Sequence, residues 1–183
     1  MLYTRKGDEG TTKTFGCNQR ISKSTLIAEA LGSLDEVNSF LGLCKVYPLS
    51  KRYTLNATRF SKIVHELQQN LFSVQAELAG APKSVSAERV KEIEALIDAA
   101  EKAMPPIKTF FISGGTELAA LFDIAQTIAR RAERRVVAVN EERKQKITPS
   151  TLAFLNRLSS ILYALARLTN YKYGIKEESP SYK

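Results

Sequence analysis

The stretch LAALFDIAQTIARRAERRVVAV, residues 118–139, decides how this chain folds. Leu118, Leu121, Ala125, Ile128, Ala132, Val136 and Val139 recur at three- and four-residue steps, the spacing of a helix with one buried stripe. Inside it, Arg130-Arg131-Ala132-Glu133-Arg134-Arg135 packs four guanidiniums into one segment that also needs apolar residues. A residue advances about 100° around a helix, so Arg130 and Arg134 stack on the face opposite Ala132 and point away from their own core. That face meets water, with Glu133 as a local charge partner, or it meets a neighbouring subunit and a polyanion, because guanidinium forks suit phosphate oxygens.

The same period runs outward in both directions. Ile27, Ala30, Leu31, Leu34, Leu41 and Cys44 mark a first helix ending before Pro48, and Ile63, Leu67, Leu71, Val74 and Leu78 a second ending near Gly80-Ala81-Pro82. Ser86 caps a third helix with Glu88 in its first turn, and Pro105-Pro106 stops it. The fourth begins after Gly114-Gly115. Thr148 followed by Pro149 opens a fifth through Leu152, Leu155, Leu158, Leu162 and Leu165. No Pro/Gly/Ser-rich linker or repeat divides the 183 residues, so the expectation is a single all-α domain over 1–183. Its architecture is a five-helix up-and-down bundle of the ferritin-like type, with an ordered glycine- and threonine-rich loop at the N-terminus.

A formal charge of +8 favours an acidic partner, whether nucleotide, nucleic acid or anionic membrane surface, without choosing among them. The apolar segments are amphipathic and fall short of the ~18 uninterrupted apolar residues of a span. The start carries no secretory apolar core, so a soluble cytoplasmic protein is expected. Cys17 and Cys44 form no C-x-x-C, and His65 is the one histidine, which argues against structural zinc and a disulfide framework.

Three further features ask for a ligand or an interface. Asp35, Asn38, Ser39 and Gly42 form a polar stripe on the first helix, and Asn156, Ser159, Ser160, Tyr163 and Arg167 another on the fifth. Small and amide-bearing residues dominate both, where a merely solvated face usually carries Lys and Glu. The segment TRKGDEGTTKTFG, residues 4–16, offers glycines for close backbone approach, hydroxyls for phosphate oxygens and Arg5, Lys6 and Lys13 for charge. It is neither a Walker A loop nor a dinucleotide fingerprint, and by spacing alone a polar glycine-rich tail is the commoner explanation of such composition.

Taken in order, TRKGDEGTTKTFG, LGSLDEVNSFLG, FFISGG, ARRAERRVV and FLNRLSSILYALAR resemble the PduO-type ATP:cob(I)alamin adenosyltransferases across nearly the whole chain. Residues 48–105 contribute little to the resemblance. It implies a homotrimer of five-helix bundles with active sites between subunits. It also implies transfer of the 5′-deoxyadenosyl group of ATP to the cobalt of a reduced corrinoid, with Mg²⁺ as cofactor and triphosphate released. By matching positions it places ATP contacts at Thr4, Arg5, Lys6, Gly7, Thr12, Lys13, Lys23, Arg130, Arg131, Glu133, Arg134 and Asn156. Arg130, Arg134, Asn156 and Phe110 are its catalytic set, Phe110 lying against the corrinoid's lower face. No metal ligand is assigned to the chain. Residues 1–22 become the ATP-binding loop, 23–173 the bundle and 174–183 a C-terminal tail. A corrinoid reductase and an adenosylcobalamin-dependent enzyme are implied partners; nucleic acid and membrane are not.

Some positions leave the family pattern. Ser113 replaces the usual Pro, Asp123 a frequent His, Ser160 an Asp and Cys17 a common Gly. Gln126 stands where the family has an Arg paired at the interface with the equivalent of Asp35, and a carboxamide can donate only a hydrogen bond there. A basic helical nucleotide- or polyanion-binding protein without catalysis is the competing reading. It explains the charge but not the loop, the small-residue stripes or Asn156. A purely structural oligomer is a third.

Overall fold

The computed structural model describes residues 3–15, 19–47 and 57–182. Cys17 and Pro48 lie outside them. Five helices carry the fold: α1 (Leu26–Val46), α2 (Ala57–Leu78), α3 (Ala87–Lys102), α4 (Glu117–Glu141) and α5 (Pro149–Lys172). Two short strands, β1 (Thr11–Thr12) and β2 (Ile21–Ser22), pair antiparallel in front of α1, with Thr11 opposite Ser22.

Four of the helices, α1, α3, α4 and α5, start where a hydroxyl can take an orphan amide. Thr25, Ser86, Thr116 and Thr148 accept from Ala28, Arg89, Ala119 and Thr151, and Pro149 fills a first-turn position that has no amide to lose. The ends are also chemically specified. Gly80, at φ +90°, donates to Glu77 O while Ala81 N reaches Ala76 O, the double bond of a Schellman stop. Gly174, at φ +65°, repeats this at the end of α5, with Gly174 N on Tyr171 O and Ile175 N on Asn170 O. At the end of α4 the left-handed position is taken by Arg143, at φ +54°, although a side chain there is strained.

The helices alternate in direction. Asp35 meets Gln75 and Lys45 meets His65, so α1 and α2 run antiparallel; Arg135 meets Glu29, so α4 opposes α1. Successive helices reverse, as the up-and-down reading expects, and α3 therefore lies parallel to α5, with Glu94 on Arg157 and Pro105 near Arg167. α4 sits between α1 and α5. Its stripe behaves as the sequence predicts: Leu118, Ala125, Ile128, Ala132, Val136 and Val139 are buried and Leu121 partly so. The fully buried alanines Ala119, Ala125, Ala129 and Ala132 leave little side chain between α4 and its neighbours and let the axes approach closely. Leu34, Leu41, Leu67, Leu71, Phe122, Phe154, Leu158 and Leu162 fill the centre, each fully buried aliphatic or aromatic contributing about 1.5–3 kcal/mol.

One buried carboxylate ties two distant elements. Glu77, at the end of α2, accepts from Thr148 N at 2.6 Å and from Thr151 Oγ1 at 2.5 Å, placing a negative group at the N-terminus of α5 where the helix dipole favours it. Cys44 is buried among apolar side chains, and that desolvation pushes its thiol up to about 12.

Candidate functional site

The four arginines of α4 are sorted by what faces them. Arg131 pairs with Glu36 and Arg135 with Glu29, both from α1. Arg130 and Arg134 project from the exposed face, and among the described residues neither has a hydrogen-bond or ion-pair partner. The sequence expects Arg131 on the nucleotide as well; within one subunit its guanidinium is engaged by Glu36. Glu133, one residue before Arg134, does not serve as a charge partner for its arginine neighbours. It accepts from Asn156 Nδ2 at 3.1 Å, and Asn156 Oδ1 in turn accepts from Arg157 at 2.6 Å. Arg130, Glu133, Arg134 and Asn156 therefore share one polar face across α4 and α5.

At the other end of that face lies a cavity of about 620 Å³. Ile107, Phe110, Phe111, Asp123, Gln126, Arg130 and Tyr163 are among the residues that line it. Phe110 is 79% exposed, on the loop between α3 and α4. Asp123 accepts from Gly114 N at 2.9 Å, and burial, with Glu177 nearby, raises its carboxyl above the ordinary aspartate value. Burial likewise raises Tyr163, against the lowering influence of Arg167.

The loop's exit is clamped by a residue the sequence reading passes over. Asn170 Oδ1 accepts from Thr116 N at 3.0 Å while its Nδ2 donates to Gly114 O at 2.7 Å. A Cβ on Gly115, at φ +103°, would lie 2.4 Å from Asn170 Oδ1, so this turn admits only glycine. The signal was available: Asn170 continues the stripe Asn156, Ser160, Tyr163, Arg167 by three residues. That stripe is not one outward face, as the spacing suggested. Ser159 and Arg167 are buried within the subunit and only its N-terminal part is open.

The N-terminal loop is folded on itself. Arg20 bonds Thr11, Lys23 N bonds Gly10 O, and Lys23 Nζ donates to Gly7 O at 3.0 Å. Thr4, Arg5, Lys6, Thr12 and Lys13 are solvent-facing in whole or part, and Arg5 adopts φ +58°. Among the described residues no hydrogen bond or ion pair joins this loop to Arg130, Arg134 or Asn156. The two expected halves of a nucleotide site are thus not bonded to each other among the described residues of one copy. Asp35, expected at an interface with Gln126, accepts from Gln75 at 2.5 Å in its own subunit, while Gln126 lines the cavity.

The sequence profile of the cobalamin adenosyltransferase family matches residues 2–169. The chain belongs to that family. It is 37% identical over 177 residues to the corrinoid adenosyltransferase PduO of Citrobacter freundii, covering 93% of this chain and 50% of the relative. The chain thus spans about half the length of that protein and of the Salmonella typhimurium PduO, of which 48% is covered. Against the corrinoid adenosyltransferase of Bacillus subtilis it is 38% identical over 181 residues, covering 95% of this chain and 89% of the relative. A solved structure of a phenylalanine-to-histidine variant of the Lactobacillus reuteri PduO-type ATP:corrinoid adenosyltransferase, complexed with cobalamin and ATP, superposes with a TM-score of 0.89. The identity is 31%, with 100% of this chain and 97% of that one covered. An arginine-to-lysine variant of the same enzyme, complexed with ATP, gives a TM-score of 0.87 at 31% identity, covering 98% and 100%. Among the described residues no helix is long and apolar enough to cross a membrane.

Proposed function

We propose that the chain is an ATP:cob(I)alamin adenosyltransferase. One observation carries the reading: Arg130, on the unpartnered cationic face, and Phe110, an exposed aromatic, line the same cavity. A polyanion and a flat apolar macrocycle can therefore be held side by side. The Co(I) centre is the nucleophile; a Co–C bond forms at C5′ of ATP as the C5′–O bond breaks, and the electron pair leaves on triphosphate. The cofactor carries that step, and no general base is needed.

The chain's residues align and stabilise. Arg130, Arg134 and Lys23 would hold the triphosphate so that cobalt, carbon and leaving oxygen lie in line, and would stabilise the charge that develops on it. Asn156, held between Glu133 and Arg157, would hydrogen-bond the nucleotide with the amide hydrogen that Glu133 leaves free. Thr4, Arg5, Lys6, Gly7, Thr12 and Lys13 would complete the phosphate cradle, and Arg131 would join it only by sharing Glu36. Mg²⁺ would supply further charge neutralisation. Among the described residues no cluster of three or more His, Cys, Asp or Glu could hold it, so phosphate oxygens would provide most of its ligands, with Glu133 the nearby carboxylate on the chain.

The complete site would lie at the junction of adjacent copies in a homotrimer, as the family resemblance implies; among the described residues no hydrogen bond or ion pair joins the loop to the arginine face within one subunit. Asp35 and Gln126 belong to that interface. The unit comprises the loop 1–22, the bundle 23–173 and the tail 174–183, working in the cytoplasm with a corrinoid reductase before it and an adenosylcobalamin-dependent enzyme after it. The test is to add ATP, Mg²⁺ and chemically reduced cobalamin under anaerobic conditions and follow the visible spectrum. Conversion to the adenosyl form is expected. Folded protein that raises its melting temperature equally with any polyanion and converts nothing would support the basic binding module instead.

A further inference from the structure

The loop over residues 105–116 carries Phe110, and the C-terminal segment lies against it. After the Schellman turn at Gly174 the chain runs back, and Ile112 N donates to Glu178 O at 2.8 Å. Arg167 of α5, its side chain only 7% exposed, sits between the two. Its Nε donates to both carboxylate oxygens of Glu177, at 3.0 and 3.1 Å, and its Nη2 to Glu177 Oε2 at 2.8 Å and to Pro105 O at 3.4 Å. The guanidinium also lies 5.0 Å from the centre of the Phe111 ring. Glu177 is 18% exposed on a segment without regular secondary structure.

A desolvated ion pair of this kind adds little net stability compared with apolar side chains of the same volume; what it supplies is a fixed arrangement. Here the forked contact with Glu177 fixes the guanidinium plane, and the plane holds the half-buried Phe111 ring against it. Phe111 lines the same cavity as Phe110 and Arg130, so holding the Phe111 ring also holds its neighbour Phe110, one peptide unit away, in that wall. We infer that residues 175–178, acting through Glu177 and Arg167, form a positioning element that sets where Phe110 stands in the corrinoid-facing wall. Glu177 and Arg167 are positioning residues; they act through Phe111 and the loop backbone. The inference rests on the proposed corrinoid role of Phe110.

The test compares Glu177→Ala, Glu177→Gln, Arg167→Lys and Phe110→Ala in the adenosylation assay. KM is measured for ATP and for cobalamin, with rates started from Co(I) and from Co(II) plus a weak reductant. A displaced contact wall costs about tenfold or more in the parameter it governs. Glu177→Ala is therefore expected to raise KM for cobalamin by about that factor, to leave KM for ATP unchanged, and to slow the Co(II) reaction more than the Co(I) reaction. Glu177→Gln, which retains acceptor and shape, restores part of the loss. Arg167→Lys keeps the charge but loses the fork and the plane, and follows Glu177→Ala; it carries the test if the alanine variant does not fold. A lowered melting temperature with both KM values and the Co(II)/Co(I) ratio unmoved would show a merely structural pair and overturn the inference. If Phe110→Ala also left cobalamin kinetics unmoved, the corrinoid reading of that wall would fall as well. An effect of Phe110→Ala without one in the Glu177 and Arg167 variants would refute the positioning role alone.

Discussion

Gly114 and Gly115 look interchangeable in the sequence, and replacing each by alanine separates two physical costs. Both have positive φ, +122° and +103°, so an alanine at either is strained by about 1–3 kcal/mol. They differ in what the new methyl meets. Nothing lies within 4 Å of a Cβ on Gly114, whereas one on Gly115 falls 2.4, 2.7 and 2.8 Å from Oδ1, Nδ2 and Cγ of Asn170. Asn170 must then leave, releasing Thr116 N and Gly114 O. Two hydrogen bonds at roughly 0.5–1.5 kcal/mol each, with partners part-buried, add about 1–3 kcal/mol. Gly115→Ala should thus cost roughly 2–6 kcal/mol in total, and at about 2–4 °C per kcal/mol for a chain of this size its melting temperature should fall by roughly 4–24 °C. Gly114→Ala should show only the strain. The decisive measurement is thermal unfolding of both variants and of Gly115→Ala in an Asn170→Ala background, where the clash is gone and the added cost should shrink to the strain alone. Equal costs for the two glycines, or full additivity with Asn170→Ala, would refute the reasoning.

Arg143→Gly, at the left-handed stop of α4, should stabilise by about 0.5–1 kcal/mol by relieving side-chain strain, readable as a raised denaturant midpoint at constant slope. Glu77→Ala strands Thr148 N and the Thr151 hydroxyl and should cost roughly 2–6 kcal/mol, about 1–3 for each donor left unsatisfied; a midpoint shift near zero would remove Glu77 from the structural account. Asp123, with its pKa raised by burial, makes the folded state bind its proton more tightly than the unfolded. Its contribution is fully present below the ordinary aspartate pKa and is lost as pH rises through the raised value. Asp123→Asn should therefore flatten the melting temperature across that acidic window and raise it at neutral pH. A steeper profile would show the sign to be wrong. Finally, Arg134→Ala should abolish most adenosylation without lowering the melting temperature, whereas Arg131→Ala should lower it modestly by freeing Glu36; the reverse order would exchange their roles.

The helices were legible because local chemistry names them. Thr148-Pro149, Ser86 with Glu88, and Gly80 before Ala81-Pro82 each announce a terminus without reference to anything distant, and the apolar stripe of α4 needs only its own period. The partners of the arginines were not legible. Arg130, Arg131, Arg134 and Arg135 are chemically identical, and only the presence of α1 alongside, with Glu29 and Glu36 at matching heights, separates the paired from the open. Arg167 was misread for the same reason. Its position on the α5 stripe predicted an outward group, but a carboxylate ten residues further on folds back over it. The left-handed Arg143 left no trace in a sequence pattern that expects glycine there.

The face bearing Arg130 and Arg134 is carried on an unbroken helix of 25 residues, and this makes α4 intolerant of length change. Inserting or deleting one residue within it would rotate everything beyond by about 100°. The stripe would leave the core, Glu29 and Glu36 would lose their arginines, and the open guanidiniums would swing away from the cavity together. Substitutions can alter those three relationships one at a time; an insertion alters all at once. Length variation in this lineage should accordingly collect at the exposed Lys83–Ser84 turn between α2 and α3, and a peptide tag placed there should leave both assembly and turnover intact.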